Sequence, residues 1–165
     1  MENQSELTQL LRGRGVHADP LACIEDLTPE VAVRQVDGFP HSIFALVYHI
    51  NYWMDYELRR INGEKPAYPE HATASWPSRA ETGEWPSVAK RCRQLLDRYA
   101  ALAKSPSEEM QRNIEATYPG HLNLASSLSA VLWQIVAHNS YHVGQIVMLR
   151  QAMGVWPPPQ GGDTW

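Results

Sequence analysis

The sequence has few of the features that mark a secreted, membrane-bound or nucleic-acid-binding protein. It contains only two cysteines in 165 residues, so no disulfide framework is expected, and both are interpreted as reduced, partly buried thiols. No apolar run approaches the ~20 residues that a membrane-spanning helix needs. The polar, acidic start, Met1 to Glu6, is unlike a secretory signal peptide, so we expect a cytoplasmic protein.

Positive charge is also scarce. The formal net charge is −4, and the longest basic run is Lys90-Arg91-Cys92-Arg93, which is typical of a solvated helix face. Nucleic-acid binding therefore has little electrostatic support, and we expect neither a nucleic acid nor a membrane as partner. The hydrophobic fraction of 44% is enough to fill one core, so residues 1–165 are interpreted as a single domain.

The periodicity of the apolar residues predicts helices and no strands. Long helices are predicted over residues 42–61, 87–104 and 124–153, a weaker one over residues 5–14, and a short one over residues 20–27, capped by Asp19. The connection at residues 62–85 is too long for a tight turn and is interpreted as a crossover along the helices, or as a lid over one end. The tail from Trp156 onward, rich in proline and tryptophan, is expected to fold back on the helices.

Two histidines lie one turn apart on the last predicted helix. On a helical wheel, His138 and His142 fall within roughly 60° of Ile135, in the apolar stripe that faces the core. Their i, i+4 spacing directs both rings to one point, as in half of a metal site, and neutral imidazole is the commonest protein ligand of zinc and nickel. A pair of ordinary core histidines with hydrogen-bond partners is the alternative that the spacing leaves open.

His49 is the best candidate for the third ligand. It lies in the middle of the helix at residues 42–61 and borders an aromatic sector, although its position alone is weaker evidence than the pair. His41 lies about 12 Å from it along a helix axis, too far to reach the same ion. His121 is expected in a connection, and His17 and His71 lie in polar loop sequence, so none of these is assigned as a ligand.

The segment from His138 to His142 differs from the zinc-protease signature at one position that matters. In that signature a glutamate follows the first histidine and serves as the general base. Here Asn139 occupies the position and cannot take up a proton at neutral pH. A metalloprotease of that type is therefore disfavoured.

Three stretches resemble the DinB-like (DNA-damage-inducible) family: residues 40–49 with Trp53, residues 137–145, and the tail at 156–165. The resemblance implies an all-α fold, an antiparallel four-helix bundle with a long crossover connection. It also implies a divalent metal, nickel or zinc, held by His49, His138 and His142. Members are often homodimers, and several are transferases that use bacillithiol, mycothiol or glutathione. The family name records induction by DNA damage and implies no contact with DNA.

Three histidine ligands would leave a coordination position open, as in catalytic zinc sites. The leading hypothesis is a transferase in which the metal activates a low-molecular-weight thiol of the bacillithiol type, the nucleophile being a metal-bound thiolate, to attack a small-molecule substrate. A hydrolase using a metal-bound water is the second. It needs a base that the sequence does not supply, since only orienting groups are at hand: Tyr52, Tyr56 and Asn139.

A third hypothesis is non-catalytic: the metal only stabilises the bundle, and the role of the protein is binding or dimerisation. The last helix carries small residues at Ala137, Ser140 and Gly144, which would allow close approach of a helix. That helix belongs either to the same bundle or to the second subunit of the homodimer that the resemblance implies.

Overall fold

A computed structural model describes residues 2–80, 82–117 and 127–162. Within these ranges the secondary structure is helical, with no strand beyond an isolated bridge between Asn113 and Ser127. The α-helices are α1 (Glu2–Leu11), α2 (Pro29–Val33), α3 (Ile43–Ile61), α4 (Trp85–Leu102), α5 (Ser107–Met110) and α6 (Leu128–Ala152), with 3₁₀ turns at Ala72–Ser75 and Thr82–Glu84. None of the described helices is long and apolar enough to cross a membrane.

The two helices that carry the candidate histidines begin at serine caps. The Ser42 hydroxyl accepts a hydrogen bond from the amide of Ala45 at the start of α3. Ser127 does the same for Ala130 at the start of α6. Both helices were predicted, although α6 begins at Leu128, and residues 124–126 of the predicted span lie outside the described residues.

The four long helices, α1, α3, α4 and α6, pack around one core, which confirms the all-α bundle. α3 and α4 run in the same direction: Asn51 donates to the carbonyl of Val88, and one turn further along both helices Asp55 pairs with Arg91. A parallel pair needs a long return, which is the crossover at residues 62–84. α6 runs antiparallel to α3, since His142 lies against His49 while Asn139 contacts Met54.

The short helix predicted over residues 20–27 is wrong. The structure has turns there, and the nearest helix is α2. A helix would need the carbonyl of Cys23 to accept from the amide of Leu27. That carbonyl instead accepts from Arg150 at 2.8 Å, and the Leu27 amide donates to Ile24. The Asp19 cap is present, since its carboxylate accepts from the Leu21 amide at 2.9 Å, but the tertiary contact with Arg150 replaces the bond that would extend the turns into a helix.

Two smaller predictions concern the ends of the chain. The weak helix predicted over residues 5–14 is present as Glu2–Leu11, followed by a turn in which Gly13 has a φ of +76°. The tail folds back as expected: Val155 and Trp156 pack against the core, and the Val155 carbonyl accepts two hydrogen bonds from the Arg150 guanidinium. Residues 163–165 lie outside the described residues.

Candidate metal centre

The three histidines predicted as ligands lie together. His49 comes from the middle of α3, and His138 and His142 come from successive turns of α6. One ring nitrogen from each lies within 4.8 Å of the others, and the Nε2 atoms of His49 and His138 are 3.3 Å apart. His49 and His142 are only 8% and 6% exposed, whereas His138 is half-buried. The cluster therefore joins two helices that are distant in sequence and is open to solvent mainly beside His138.

The hydrogen bonds of the Nδ1 atoms favour one tautomer of each ring. Nδ1 of His49 lies 3.3 Å from the carbonyl oxygen of Ser75, and Nδ1 of His142 lies 2.8 Å from Oε1 of Gln145. Nδ1 of His138 lies 3.4 Å from Oδ1 of Asn139. The Ser75 carbonyl can only accept, so Nδ1 of His49 carries the proton and its Nε2 keeps a lone pair. The amide oxygens of Gln145 and Asn139 favour the same tautomer for His142 and His138, in which Nε2 is the ligand atom.

The 3.3 Å contact between Nε2 of His49 and Nε2 of His138 depends on where the rings carry their protons. With one ring protonated on Nε2 it is a hydrogen bond, and with both protonated on Nδ1 it opposes two lone pairs that a cation between them would satisfy. Zinc–imidazole bonds of 2.0–2.1 Å in tetrahedral geometry place neighbouring ligand nitrogens about 3.4 Å apart, close to the observed separation. The Nδ1 partners also have the form of the outer-shell acceptors that orient metal-binding histidines. The residues present therefore fit a divalent transition metal.

The environment keeps these rings neutral. Burial lowers the pKa of His49 to about 4, with further lowering by the neighbouring His142 and His138. Burial and the proximity of His142 lower the pKa of His138 to about 4 as well, and burial lowers the pKa of His142. Neutral imidazole is the form that binds metals, so the three rings are available as ligands at neutral pH.

The three residues predicted as orienting groups have different positions. The Asn139 side chain is buried between His138 and the Met54 sulfur, so it orients a histidine ring. The Tyr56 hydroxyl is hydrogen-bonded to the hydroxyl of Thr117. Tyr52 lies on the side of α3 that faces α4, where it lines a shallow pocket with Val88 and others. The structure thus brings only Asn139 into contact with the histidines.

Two residues of the crossover belong to the site and were missed by sequence reasoning. Ser75 provides the carbonyl that accepts from His49. The Trp76 indole stacks on the His49 ring, with centroids 3.9 Å apart and planes 10° apart. The sequence indicates their role only through the interpretation of the crossover as a lid. A backbone carbonyl leaves no mark in a sequence, and nothing distinguishes Trp76 from the other five tryptophans.

The histidines not assigned as ligands lie outside the cluster or outside the described residues. His41 stacks on the far face of Trp76, and the His71 side chain is exposed. His17 binds the Ser140 hydroxyl at 2.9 Å, so an N-terminal loop rather than a helix approaches the small-residue side of α6 at that position. His121 lies outside the described residues.

The fold and the site together define a class of protein: a helical bundle whose parallel α3–α4 pair is joined by a crossover, with three convergent histidines between α3 and α6. The sequence model of the DinB superfamily matches residues 14–146. The chain therefore belongs to the DinB superfamily. No curated protein and no solved structure matches it significantly.

Proposed function

We propose that His49, His138 and His142 bind a divalent ion, zinc or nickel, and that the protein is a transferase acting through a low-molecular-weight thiol of the bacillithiol type. The observation that carries the proposal is the convergence of three neutral imidazoles whose Nδ1 atoms are all committed to oxygen acceptors. A divalent ion bound there supplies Lewis acidity that lowers the pKa of a coordinated thiol, which makes a nucleophile available near neutral pH.

The chain's own residues have binding and orienting roles in this scheme. Ser75, Asn139 and Gln145 hold the three rings with their Nε2 atoms directed to one point. Trp76 covers one face of His49 and makes a T-shaped contact with His142, which keeps water from that side. The half-buried His138 marks the side on which a small thiol and its electrophile can approach.

The composition of the site favours thiol transfer over hydrolysis. Among the residues that the structure describes, no aspartate or glutamate joins the three histidines, so a general base for water is lacking there. A thiol needs less help, because coordination by a metal is enough to deprotonate it. We therefore place the hydrolase second.

The attacking thiol has to come from outside the chain. Cys23 and Cys92 are both buried, and burial raises the pKa of each thiol to about 12. A buried, protonated thiol is a poor nucleophile. A small diffusible thiol is therefore the consistent choice.

The test begins with the metal content of the purified protein and of two variants, His142→Ala in the site and His71→Ala on the surface. We expect the parent and His71→Ala to hold about one ion per chain and His142→Ala to lose it. Full retention by His142→Ala would overturn the site.

The loaded protein is then assayed with bacillithiol, glutathione and coenzyme A against a general electrophile. Metal-dependent conjugation with one of them, absent in His142→Ala, is expected. No conjugation with any thiol, together with ester hydrolysis in their absence, would favour the hydrolase. No reaction of either kind, with a large loss of melting temperature on chelation, would favour the non-catalytic hypothesis.

A further inference from the structure

The crossover contacts the histidine cluster at three points, all within the segment Ala72–Trp76. The Ser75 carbonyl faces Nδ1 of His49 at 3.3 Å, and the Trp76 ring stacks on the same imidazole at 3.9 Å. Trp76 and His142 form a T-shaped pair, with centroids 6.1 Å apart and planes at 83°. One short segment therefore touches a ligand candidate on each of the two helices.

His41, immediately before the cap of α3, completes a stack of three rings. Its imidazole lies on the opposite face of Trp76, with centroids 3.7 Å apart and planes 8° apart. The indole is consequently held between two nearly parallel imidazoles, His41 and His49. His41 itself does not belong to the cluster of potential ligands.

The internal hydrogen bonding of this segment is limited. The 3₁₀ turn has three such bonds, from the Ser75 hydroxyl to the Ala72 carbonyl, from the Trp76 amide to the Thr73 carbonyl and from the Ala74 amide to the His71 carbonyl, and Trp76 also packs against the core. Ala72 and Thr73 are exposed, whereas Ser75 is 1% exposed. Each aromatic stack contributes about 0.5–1.5 kcal/mol beyond the area it buries. The two stacks are therefore large contributors to the position of the Ser75 carbonyl.

The position of that carbonyl matters for His49. A hydrogen bond from Nδ1 keeps the proton on that nitrogen and so keeps Nε2 free as the ligand atom. Loss of such an outer-shell partner typically costs 10–100-fold in metal affinity. Trp76 and Ser75 act on the ring together, one through its face and the other through its Nδ1.

We propose that His41 and Trp76 form a stacked clamp that holds the Ser75 carbonyl against His49 and thereby sets how tightly and how long the site retains its ion. Trp76 also closes the His49 side of the site, so exchange of the ion takes place beside His138. Both are positioning residues, since neither supplies a ligand atom. The inference rests on the proposed metal site.

The test uses Zn²⁺ and Ni²⁺ ions as probes of the full chain. Trp76→Ala and His41→Ala remove the stack, Trp76→Phe and His41→Phe keep an aromatic ring in it, and Trp133→Phe, on the exposed side of α6, is the control. The ion's dissociation rate into excess chelator and its affinity by competition are measured for each. Circular dichroism verifies that each variant is folded.

We expect Trp76→Ala to release the ion about 10–100-fold faster than the parent, and His41→Ala to change the rate in the same direction by a smaller factor. Trp76→Phe and His41→Phe should release the ion at a rate close to the parent's, because a stacked ring remains, and Trp133→Phe should match the parent. Because His41 acts through Trp76, the double alanine variant should release the ion no faster than Trp76→Ala alone.

A spectroscopic readout is independent of affinity. Ni²⁺ should quench the emission of an indole stacked on one of its ligands, so part of the quenching should disappear in Trp76→Phe and persist in Trp133→Phe.

The failures are distinguishable. If the parent binds neither ion, the proposed function fails and the clamp with it. If the parent binds but both alanine variants release the ion at the parent's rate, only the clamp is overturned. Full additivity of the two alanine variants would likewise overturn it, because His41 would then act independently of Trp76.

Discussion

Replacing His138 by leucine should make the metal-free protein more stable and abolish its stabilisation by zinc. The reason lies in the 3.3 Å contact between the Nε2 atoms of His49 and His138, which opposes two lone pairs when both rings carry their proton on Nδ1. A buried polar atom left without a partner costs about 1–3 kcal/mol. Leucine is similar in volume and removes one of the two opposed acceptors. We therefore expect metal-free His138→Leu to gain about 1 kcal/mol, since the new side chain is only partly buried.

When zinc is present, His138 stabilises the folded protein instead of destabilising it. An ion at a free concentration of 1,000 times its dissociation constant stabilises the folded state by about 4 kcal/mol. For a chain of this size that corresponds to an increase of about 8–16 °C in melting temperature. The parent should show this increase on adding zinc, and His138→Leu should show little or none.

Thermal unfolding with chelator and with zinc measures both terms, and the exposed His71→Leu is the matched control. Ordinary core histidines would give a different pattern, with His138→Leu losing stability in chelator and zinc having no effect on the parent. That pattern would refute the reasoning from the lone pairs.

Three further predictions concern pH, the tail and association. Because the pKa values of His49 and His138 fall from 6.5 to about 4 on folding, metal-free stability should be full above pH 6.5 and decline toward pH 4. Each of the two histidines accounts for at most about 3 kcal/mol of this loss in unfolding free energy, and the half-buried His138 for less. Urea denaturation with chelator at a series of pH values measures the loss, and an unfolding free energy that does not change with pH would contradict it. Asp26→Ala should lose about 3 kcal/mol in urea denaturation, because it leaves Arg150, 1% exposed, without its counter-charge; a loss below 1 kcal/mol would show that the carbonyls of Val155 and Cys23 suffice. If the homodimer expected from the sequence forms through the exposed side of α6, Tyr141→Glu should halve the mass measured by light scattering, whereas an unchanged dimer would require another surface.

The two helices that carry the histidines, and two of the three histidines, can be predicted from local sequence patterns, whereas the third histidine cannot. α3 and α6 are long, capped and periodic, so their existence follows from local patterns. The wheel positions of His138 and His142 follow from the same periodicity. His49 does not stand out on its own wheel, and the family resemblance was needed to select it.

Tertiary contacts account for what the sequence does not reveal. Arg150 takes the carbonyl that a helix at residues 20–27 would use, although it lies far along the chain. Ser75 contributes only a backbone carbonyl, which no sequence pattern can distinguish. Trp76 is selected by the path of the crossover, and that path depends on the parallel packing of α3 and α4.

The parallel arrangement of α3 and α4 also bears on how the chain folds. The Asn51–Val88 bond closes a loop of 37 residues, and His49 meets His138 across a separation of 89. Contacts of such long range form late and slow folding, because chain entropy is lost before they stabilise anything. Residues from the middle of α3, from the crossover and from α6 must all be in place before three ring nitrogens converge. A fragment that lacks any one of these three segments therefore cannot assemble the site, and a ligand that requires all three rings would report that the three segments have come together.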